Sequence, residues 1–137
     1  MSKHISPAEA LIYAMVTVSA ADRAITIDEL NRISSIVREL PPFRTYTDDW
    51  LAGAAQECGK LLRKADGVES VLALVKTTLT PELYETAYVL CAEVAASDLA
   101  VHHDEEKFLA LLAAKLELDD LVCAALRRAA RARHHQL

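Results

Sequence analysis

The sequence is poor in glycine, proline and aromatic residues, and this scarcity favours helices over sheets. The 137 residues include three Gly, four Pro and 5% aromatic side chains, while Ala, Leu and Glu are common. Ala, Leu and Glu are strong helix formers, whereas sheet proteins use more aromatic residues and more turn residues. Because 53% of the residues are apolar, one domain covering residues 1–137 can bury a core. The prediction is an all-α fold.

The sequence also lacks a hydrophobic run of the roughly 20 residues that cross a bilayer. The stretch "ALIYAMVTVSAA" near the N-terminus has the composition of a signal peptide. Ser6, Pro7 and Glu9 instead predict a helix start there, with Ser6 as N-cap and Glu9 completing a capping box. We therefore expect a cytoplasmic protein without a membrane span.

Motifs of catalysis and of zinc or redox chemistry are missing as well. The sequence has no glycine-rich phosphate loop, no Gly-x-Ser-x-Gly and no His-Glu-x-x-His. Cys58, Cys91 and Cys123 stand among apolar residues without metal-ligand spacing, which predicts small buried side chains in a reducing compartment. The chain is predicted not to be an enzyme.

Positive charge is scarce outside the last eleven residues, "RRAARARHHQL", which hold four Arg and no acid. The formal net charge is −5, and the rest of the chain has 11 basic against 20 acidic residues. A body of that charge is a poor match for nucleic acid and a better match for cations or basic protein surfaces. The terminal Arg residues are predicted to complement the end of the last helix.

Cap and break signals divide the chain into about seven helices. Thr26 with Glu29 forms a second capping box, and Thr80-Pro81 repeats the Ser-Pro device of the first helix. Pro41-Pro42 stops one helix, and Asp66-Gly67 predicts the turn that ends another. Linking helices are expected at about 47–77 and a C-terminal helix at about 119–133.

One pattern occurs twice at an offset of 76 residues. The segments "SAADRAITIDEL" (residues 19–30, the first corner) and "AASDLAVHHDEE" (residues 95–106, the second corner) each place Asp, then Ile or Val, then Asp-Glu at the same spacing. This internal repeat predicts two helix-loop-helix units, at about 7–40 and 81–116. We expect the units to pack about a pseudo-twofold axis and to share one core.

The repeated acids predict a cation site where the corners meet. Asp22 and Glu29 flank the first loop, and Asp98 and Glu105 flank the second. Carboxylate oxygens are the ligands of Ca²⁺ and Mg²⁺, so the four acids together would suit either ion. The alternative is that the same acids only cap helices and favour their dipoles. Spacing alone leaves both interpretations open.

Further side chains near the corners are secondary candidates. Asp28 and Asp104 precede the two Glu residues and extend the supply of carboxylates. His102 and His103 would add imidazole, which suits Zn²⁺, a lesser candidate than Ca²⁺ or Mg²⁺.

The segments "AMVTVSAADRAITIDELNRISSIVREL" and "PELYETAYVLCAEVAASDLAVHHDEEKFLALLAAKLELD" resemble the tellurite-resistance TerB-like family. That family is marked by a doubled Asp-Gly-x-Ile-x-x-x-Glu corner. The resemblance implies a pseudo-symmetric domain of about seven helices, no known catalysis and an acidic surface proposed to bind metal ions. It also implies a link to bacterial tellurite and stress resistance. The acids of the family fall on Asp22, Glu29, Asp98 and Glu105, with Glu93 as an added candidate.

The chain departs from the family pattern at both loops. Arg23 and Leu99 stand where the family has glycine, and a guanidinium at Arg23 is able to neutralise Asp22 in place of a metal. Thr17 occupies the position in the first unit that Glu93 has in the second, so any site would be asymmetric.

The sequence thus predicts a non-catalytic acidic helical module of the tellurite-resistance and stress-response type that binds a divalent metal ion. The alternative is a protein-interaction scaffold in which the acids cap helices and present a charged surface. An unidentified protein partner in a stress-response complex is expected, and oligomerisation is left open.

Overall fold

The computed structural model describes residues 4–21, 23–97 and 103–137. Within them the chain forms seven α-helices: α1 (Pro7–Ala20), α2 (Ile27–Val37), α3 (Asp48–Leu62), α4 (Gly67–Thr78), α5 (Tyr84–Ser97), α6 (His103–Lys115) and α7 (Asp120–Arg133). Short 3-10 helices, Pro41–Phe43 and Pro81–Leu83, precede α3 and α5. The prediction of an all-α fold with about seven helices is confirmed. Among the helices so described, none has both the length and the apolar character needed to cross a bilayer.

The two capping boxes read from the sequence set the starts of α1 and α2. Ser6 Oγ accepts from the N–H of Glu9 at 3.1 Å, and the Glu9 carboxylate accepts from the N–H of Ser6 at 3.0 Å. Thr26 and Glu29 repeat the reciprocal pair, at 3.1 and 2.9 Å. Each box satisfies two backbone donors that a helix start leaves free, so it fixes where the helix begins.

The start of α5 differs from the prediction. Pro81 does not open the helix directly, because residues 81–83 form a 3-10 turn and α5 begins at Tyr84. The side chain of Thr80 makes no capping bond, and the turn is closed by the Leu83 N–H donating to the Thr80 carbonyl at 2.9 Å. Tyr84 Oη donates to the carbonyl of Lys76 at 3.1 Å, which fastens the turn to the end of α4.

The predicted turn at Asp66-Gly67 is present, with α3 ending at Leu62 and α4 beginning at Gly67. A methyl group added at Gly67 would lie 2.7 Å from both the Cα and the carbonyl oxygen of Leu62. Glycine is therefore required by the close approach of α4 to the last turn of α3. This turn positions the start of α4 beside the corners.

The core is centred on α1 and α5. α1 packs against α2, α3, α4, α5 and α6, and α5 packs against α1, α2, α6 and α7. Both helices are therefore buried on most faces, and the interior includes the fully buried side chains of Tyr13 and Tyr88. The three cysteines are buried and unpaired in disulfides, as predicted. The C-terminal ends of α1 and α5, where the two corners begin, are thus held by the core.

The helix contacts are matched between the two halves of the chain. α1 packs against α2 and α6, α5 packs against α6 and α2, and α3 lies on α1 as α7 lies on α5. A twofold arrangement of two helix-loop-helix units gives this pattern of contacts. The pairing of the units about a symmetry axis, and their limits at about 7–40 and 81–116, stay predictions.

Candidate functional site at the two corners

The first corner contains a bidentate ion pair between Arg23 and Glu29. NH1 of Arg23 donates to Oε1 of Glu29 and NH2 donates to Oε2, each at 2.7 Å. Paired N–H groups facing both carboxylate oxygens form the strongest common geometry of an Arg–Glu contact. The cation lies on the loop and the acid in the first turn of α2, so the pair links the two sides of the corner.

Glu29 has a second role as the capping acid of α2. Its Oε1 also accepts from the backbone N–H of Thr26 at 2.9 Å and from the Thr26 hydroxyl at 3.1 Å. The bonds from Arg23, with those from Thr26 adding to them and burial opposing, lower the pKa of Glu29 from 4.5 to about 2. The carboxylate is ionised and its oxygens are engaged on both sides.

The guanidinium of Arg23 also binds the end of α1. NH2 donates to the carbonyl of Ser19 and NH1 to that of Ala24, each at 3.3 Å. A cation at the C-terminal end of one helix and an anion at the N-terminal end of the next favour both helix dipoles. Neutralisation of Asp22 by Arg23 stays a prediction, because Asp22 lies outside the described residues, and the structure shows Glu29 as a partner of Arg23.

Much of the second corner falls outside the described residues, including Asp98, Leu99 and His102. His103 begins α6, and its side chain is likewise not described. Asp104 and Glu105 are in the first turn of α6, where Asp104 is exposed and Glu105 is buried, at 8% exposure. The two neighbouring acids thus meet different environments.

A cavity of about 550 Å³ joins the two corners. Its walls come from the end of α1, the first turn of α4 and the first turns of α6. Arg23 of the first corner and Asp104 and Glu105 of the second line it, together with Glu69 and Lys107. Residues of both corners therefore line one cavity.

We call this cavity the corner cavity. Its remaining walls are largely apolar. The residues involved are Val18, Ala21, Val68, Phe108 and Leu111, with Thr17 and Ser19 beside them. Phe108 is buried, whereas Leu111 is 42% exposed, which is high for a leucine. Thr17 is the counterpart of Glu93 in the repeat. Its hydroxyl donates to the Tyr13 carbonyl at 2.7 Å, so the first unit has a hydroxyl where the second has a carboxylate.

Glu93 lies on α5 and binds the end of α7. It is 6% exposed, and its Oε1 accepts from Nε of Arg133 at 2.7 Å and lies 3.0 Å from Nε2 of His134. Arg127 of α7 donates to the hydroxyl of Tyr88 on α5 at 2.7 Å. We name the group of Glu93, Arg133 and His134 the C-terminal clasp. Sequence reasoning missed it, although a lone acid among apolar residues of a helix is a signal that a cation must come from elsewhere.

The fit of these residues to a metal ion is limited in the described part of the chain. There, no group of three Asp, Glu, His or Cys side chains lies close enough together to hold an ion. Glu29 and Glu93 are engaged by cationic side chains, and Asp28 is exposed without an ion pair or side-chain hydrogen bond to another described residue. Metal ligation stays a prediction for Asp22, Glu29, Glu93, Asp98 and Glu105, and for the secondary candidates Asp28, Asp104, His102 and His103.

A model of a known protein family matches residues 8–134 of the chain. The matching family is described as tellurite resistance protein TerB. No curated protein and no solved structure matches the chain. The matched range includes both corners and residues of all seven helices.

Proposed function

The chain belongs to the tellurite-resistance TerB family, and on this premise we propose that it is a non-catalytic cytoplasmic module of the stress-response type that works by binding a protein partner. The observation that carries the proposal is the bidentate pairing of Arg23 with Glu29. In this proposal the acids of the first corner build and orient the helices, and metal binding there is not their task.

The charge balance of the first corner supports this proposal. A divalent cation at Glu29 has to compete with a guanidinium held by two bonds of 2.7 Å. It also has to displace the capping bonds from Thr26, which satisfy the start of α2. A Ca²⁺ or Mg²⁺ site gains affinity from uncompensated carboxylates, and Glu29 is already compensated. The pair therefore favours a structural role.

The state of the cysteines supports the non-catalytic part. Reactive thiols need partial exposure and a lowered pKa, because the thiolate is the nucleophile. Burial raises the pKa of the Cys91 thiol and that of the Cys123 thiol. Cys58 is buried and donates to the Tyr13 carbonyl at 3.5 Å. These side chains suit packing better than nucleophilic chemistry.

A divalent-cation role at the second corner is the second candidate. The observation that favours it is that Glu69, Asp104 and Glu105 line one cavity. Because these three acids do not form a group able to hold an ion among the described residues, the role would require Asp98 of the second corner to add a carboxylate for Ca²⁺ or Mg²⁺. Zn²⁺ would further require an imidazole from His102 or His103.

Titration of the full chain with CaCl₂, MgCl₂ and ZnCl₂, followed by backbone amide shifts and calorimetry, separates the two candidates. The proposal expects no saturable response at the first corner up to about 10 mM, a concentration above the dissociation constants of weak calcium modules. Glu105→Gln and the matched exposed control Glu106→Gln report on the second corner. The cation role replaces the interaction proposal if a saturable response is found that is lost in Glu105→Gln but kept in Glu106→Gln.

A further inference from the structure

The corner cavity has the size and the lining of a recognition site. Its volume of about 550 Å³ falls within the range of about 300–1,000 Å³ that is typical of ligand pockets. Apolar side chains from three different helices, Val18, Val68 and Phe108, contribute to its walls. Because the helices are packed on the core, the cavity is preformed, and binding there orders few new side chains.

Leu111 provides an exposed apolar contact at this cavity. It lines the wall and retains 42% of its surface exposed, whereas Leu112, the next residue of α6, is fully buried. Leaving a leucine half exposed forfeits a large part of the free energy that its burial would give. An apolar side chain of a partner that enters the cavity would bury Leu111 against Phe108.

Exposed charged side chains beside this apolar wall determine which charge a partner should carry. Glu69 and Asp104 are exposed, and neither forms an ion pair or side-chain hydrogen bond with another described residue. Lys107 is likewise without such a bond in the described part of the chain, and the charge of Arg23 is compensated by Glu29. Among the described residues that line the cavity, two acids without such a bond thus stand beside one cation without one, and the buried Glu105 adds a third negative charge. The cavity therefore complements a segment with more positive than negative charge.

We propose that the corner cavity binds a basic amphipathic segment of a partner protein, with an apolar side chain placed on Leu111 and Phe108 and with Lys or Arg side chains paired to Glu69 and Asp104. This inference rests on the proposed function, since it names the partner class and the surface through which the module acts. Apolar anchors flanked by basic residues are recognised in this way when a short segment enters a groove between helices.

Three synthetic 12-residue peptides test the proposal by fluorescence anisotropy and by amide shifts of the full chain. The first contains Leu with Lys and Arg at helical spacing, the second has Glu in place of Lys and Arg, and the third has Ser in place of Leu. The first is expected to bind saturably, with shifts concentrated at residues 68–69 and 104–111, and to weaken as salt rises to about 0.5 M. The other two are expected to bind at least about tenfold more weakly.

Matched variants locate the site on the protein. Leu111→Ser is expected to weaken the first peptide about tenfold, while Leu121→Ser, which alters a leucine that is 78% exposed on α7, leaves it unchanged. The double change Glu69→Gln with Asp104→Asn is expected to weaken it about fivefold. Its control, Asp66→Asn with Glu106→Gln, removes two exposed acids that do not line the cavity. Thermal unfolding of each variant verifies that it is folded.

The proposal is overturned if the three peptides bind equally, if the shifts lie elsewhere, or if the control variants weaken binding as much as the cavity variants do. Shifts at the cavity produced by CaCl₂ or MgCl₂ that compete with the peptide also overturn it. Photo-crosslinking amino acids placed at positions 111 and 121, in the cells that produce the protein, show whether only the cavity assignment fails or the proposed interaction function fails as well. A partner captured only from position 121 overturns the cavity assignment but leaves the interaction module standing.

Discussion

Arg23 and Glu29 face each other across the loop between α1 and α2, joined by two guanidinium-to-carboxylate bonds of 2.7 Å. The side chain of Glu29 is 12% exposed and that of Arg23 is 51% exposed, so the acid is enclosed while the cation closes the corner from the solvent side. Arg23 stands at the position where the resemblance to the family predicts glycine. The acid of this corner is therefore neutralised by the side chain of Arg23.

A double-mutant cycle measures this pair. Arg23→Met, Glu29→Gln and their combination, unfolded with urea, are expected to give a coupling free energy of about 1 kcal/mol, because the geometry is bidentate but Arg23 is half exposed. The pair of Lys60 and Glu57, at 3.1 Å with both side chains about half exposed or more, is the control. Its coupling is expected at about 0.3 kcal/mol. Equal couplings for the two pairs would show that the corner pair is an ordinary surface contact.

The stability of the protein should depend on pH through Glu29. Its pKa is lowered in the folded state, so its charge contributes fully above the ordinary value of 4.5, and the contribution is lost as pH falls toward about 2. The difference in unfolding free energy between the natural protein and Glu29→Gln should therefore be constant from about pH 7 to 5 and shrink below. Asp28→Asn removes a neighbouring charge from the same helix start and serves as the control. Its difference in unfolding free energy from the natural protein is expected to be smaller. A difference that stays constant down to about pH 2 is incompatible with the pair.

The C-terminal clasp should hold the last turn of α7 on α5. Arg133→Met is expected to destabilise the fold by about 1 kcal/mol, because Glu93 is buried but Arg133 is largely exposed. Arg131→Met removes an exposed neighbouring cation that makes no bond to another described side chain, and its effect should stay within about 0.5 kcal/mol. Hydrogen exchange should accelerate at residues 130–134 only in Arg133→Met. Equal exchange in the two variants would show that the clasp does not hold the end of α7 on α5.

The glycines should respond oppositely to alanine. Gly67→Ala is expected to cost about 1–3 kcal/mol, because the new methyl group would lie 2.7 Å from the backbone of Leu62 and one of the two helices must shift. Gly53 and Gly59 lie inside α3 with no atom within 4 Å of an added methyl group. Alanine there should stabilise the protein by about 0.5–1 kcal/mol. Thermal unfolding checks all three, and a neutral Gly67→Ala would mean that α3 and α4 are not closely packed at this turn.

The features that the sequence predicted correctly are mainly those decided within a few residues. The capping box of Thr26 and Glu29 spans three positions, and its geometry follows from the identities of two side chains. The number of helices and the buried cysteines follow similarly from composition and local apolar patterns. The cap-and-proline signal at Thr80-Pro81 did not predict the start of α5 correctly. A 3-10 turn comes first, and the hydrogen bond of Tyr84 to α4 holds this arrangement.

The features that the sequence did not predict depend on contacts between distant parts of the chain. Glu93 and Arg133 are 40 positions apart, and nothing in either local segment indicates that α7 lies on α5. The ion pair of Arg23 with Glu29 was likewise not predicted, because it depends on how α2 is oriented on α1. The same holds for the corner cavity, since Glu69 of α4 joins it only through the close turn at Gly67.

Whether Arg23 closes the first corner is best measured on the carboxyl carbon signal of Glu29, followed by NMR through a pH titration with and without divalent cations. We expect a midpoint at about 2, well below the ordinary 4.5, because Arg23 and Thr26 hold the charged form. We also expect that the signal at about pH 7 stays in place up to about 10 mM CaCl₂ or MgCl₂. A midpoint near the ordinary value, or a saturable shift of this signal with either cation, would contradict the claim that Arg23 closes the first corner.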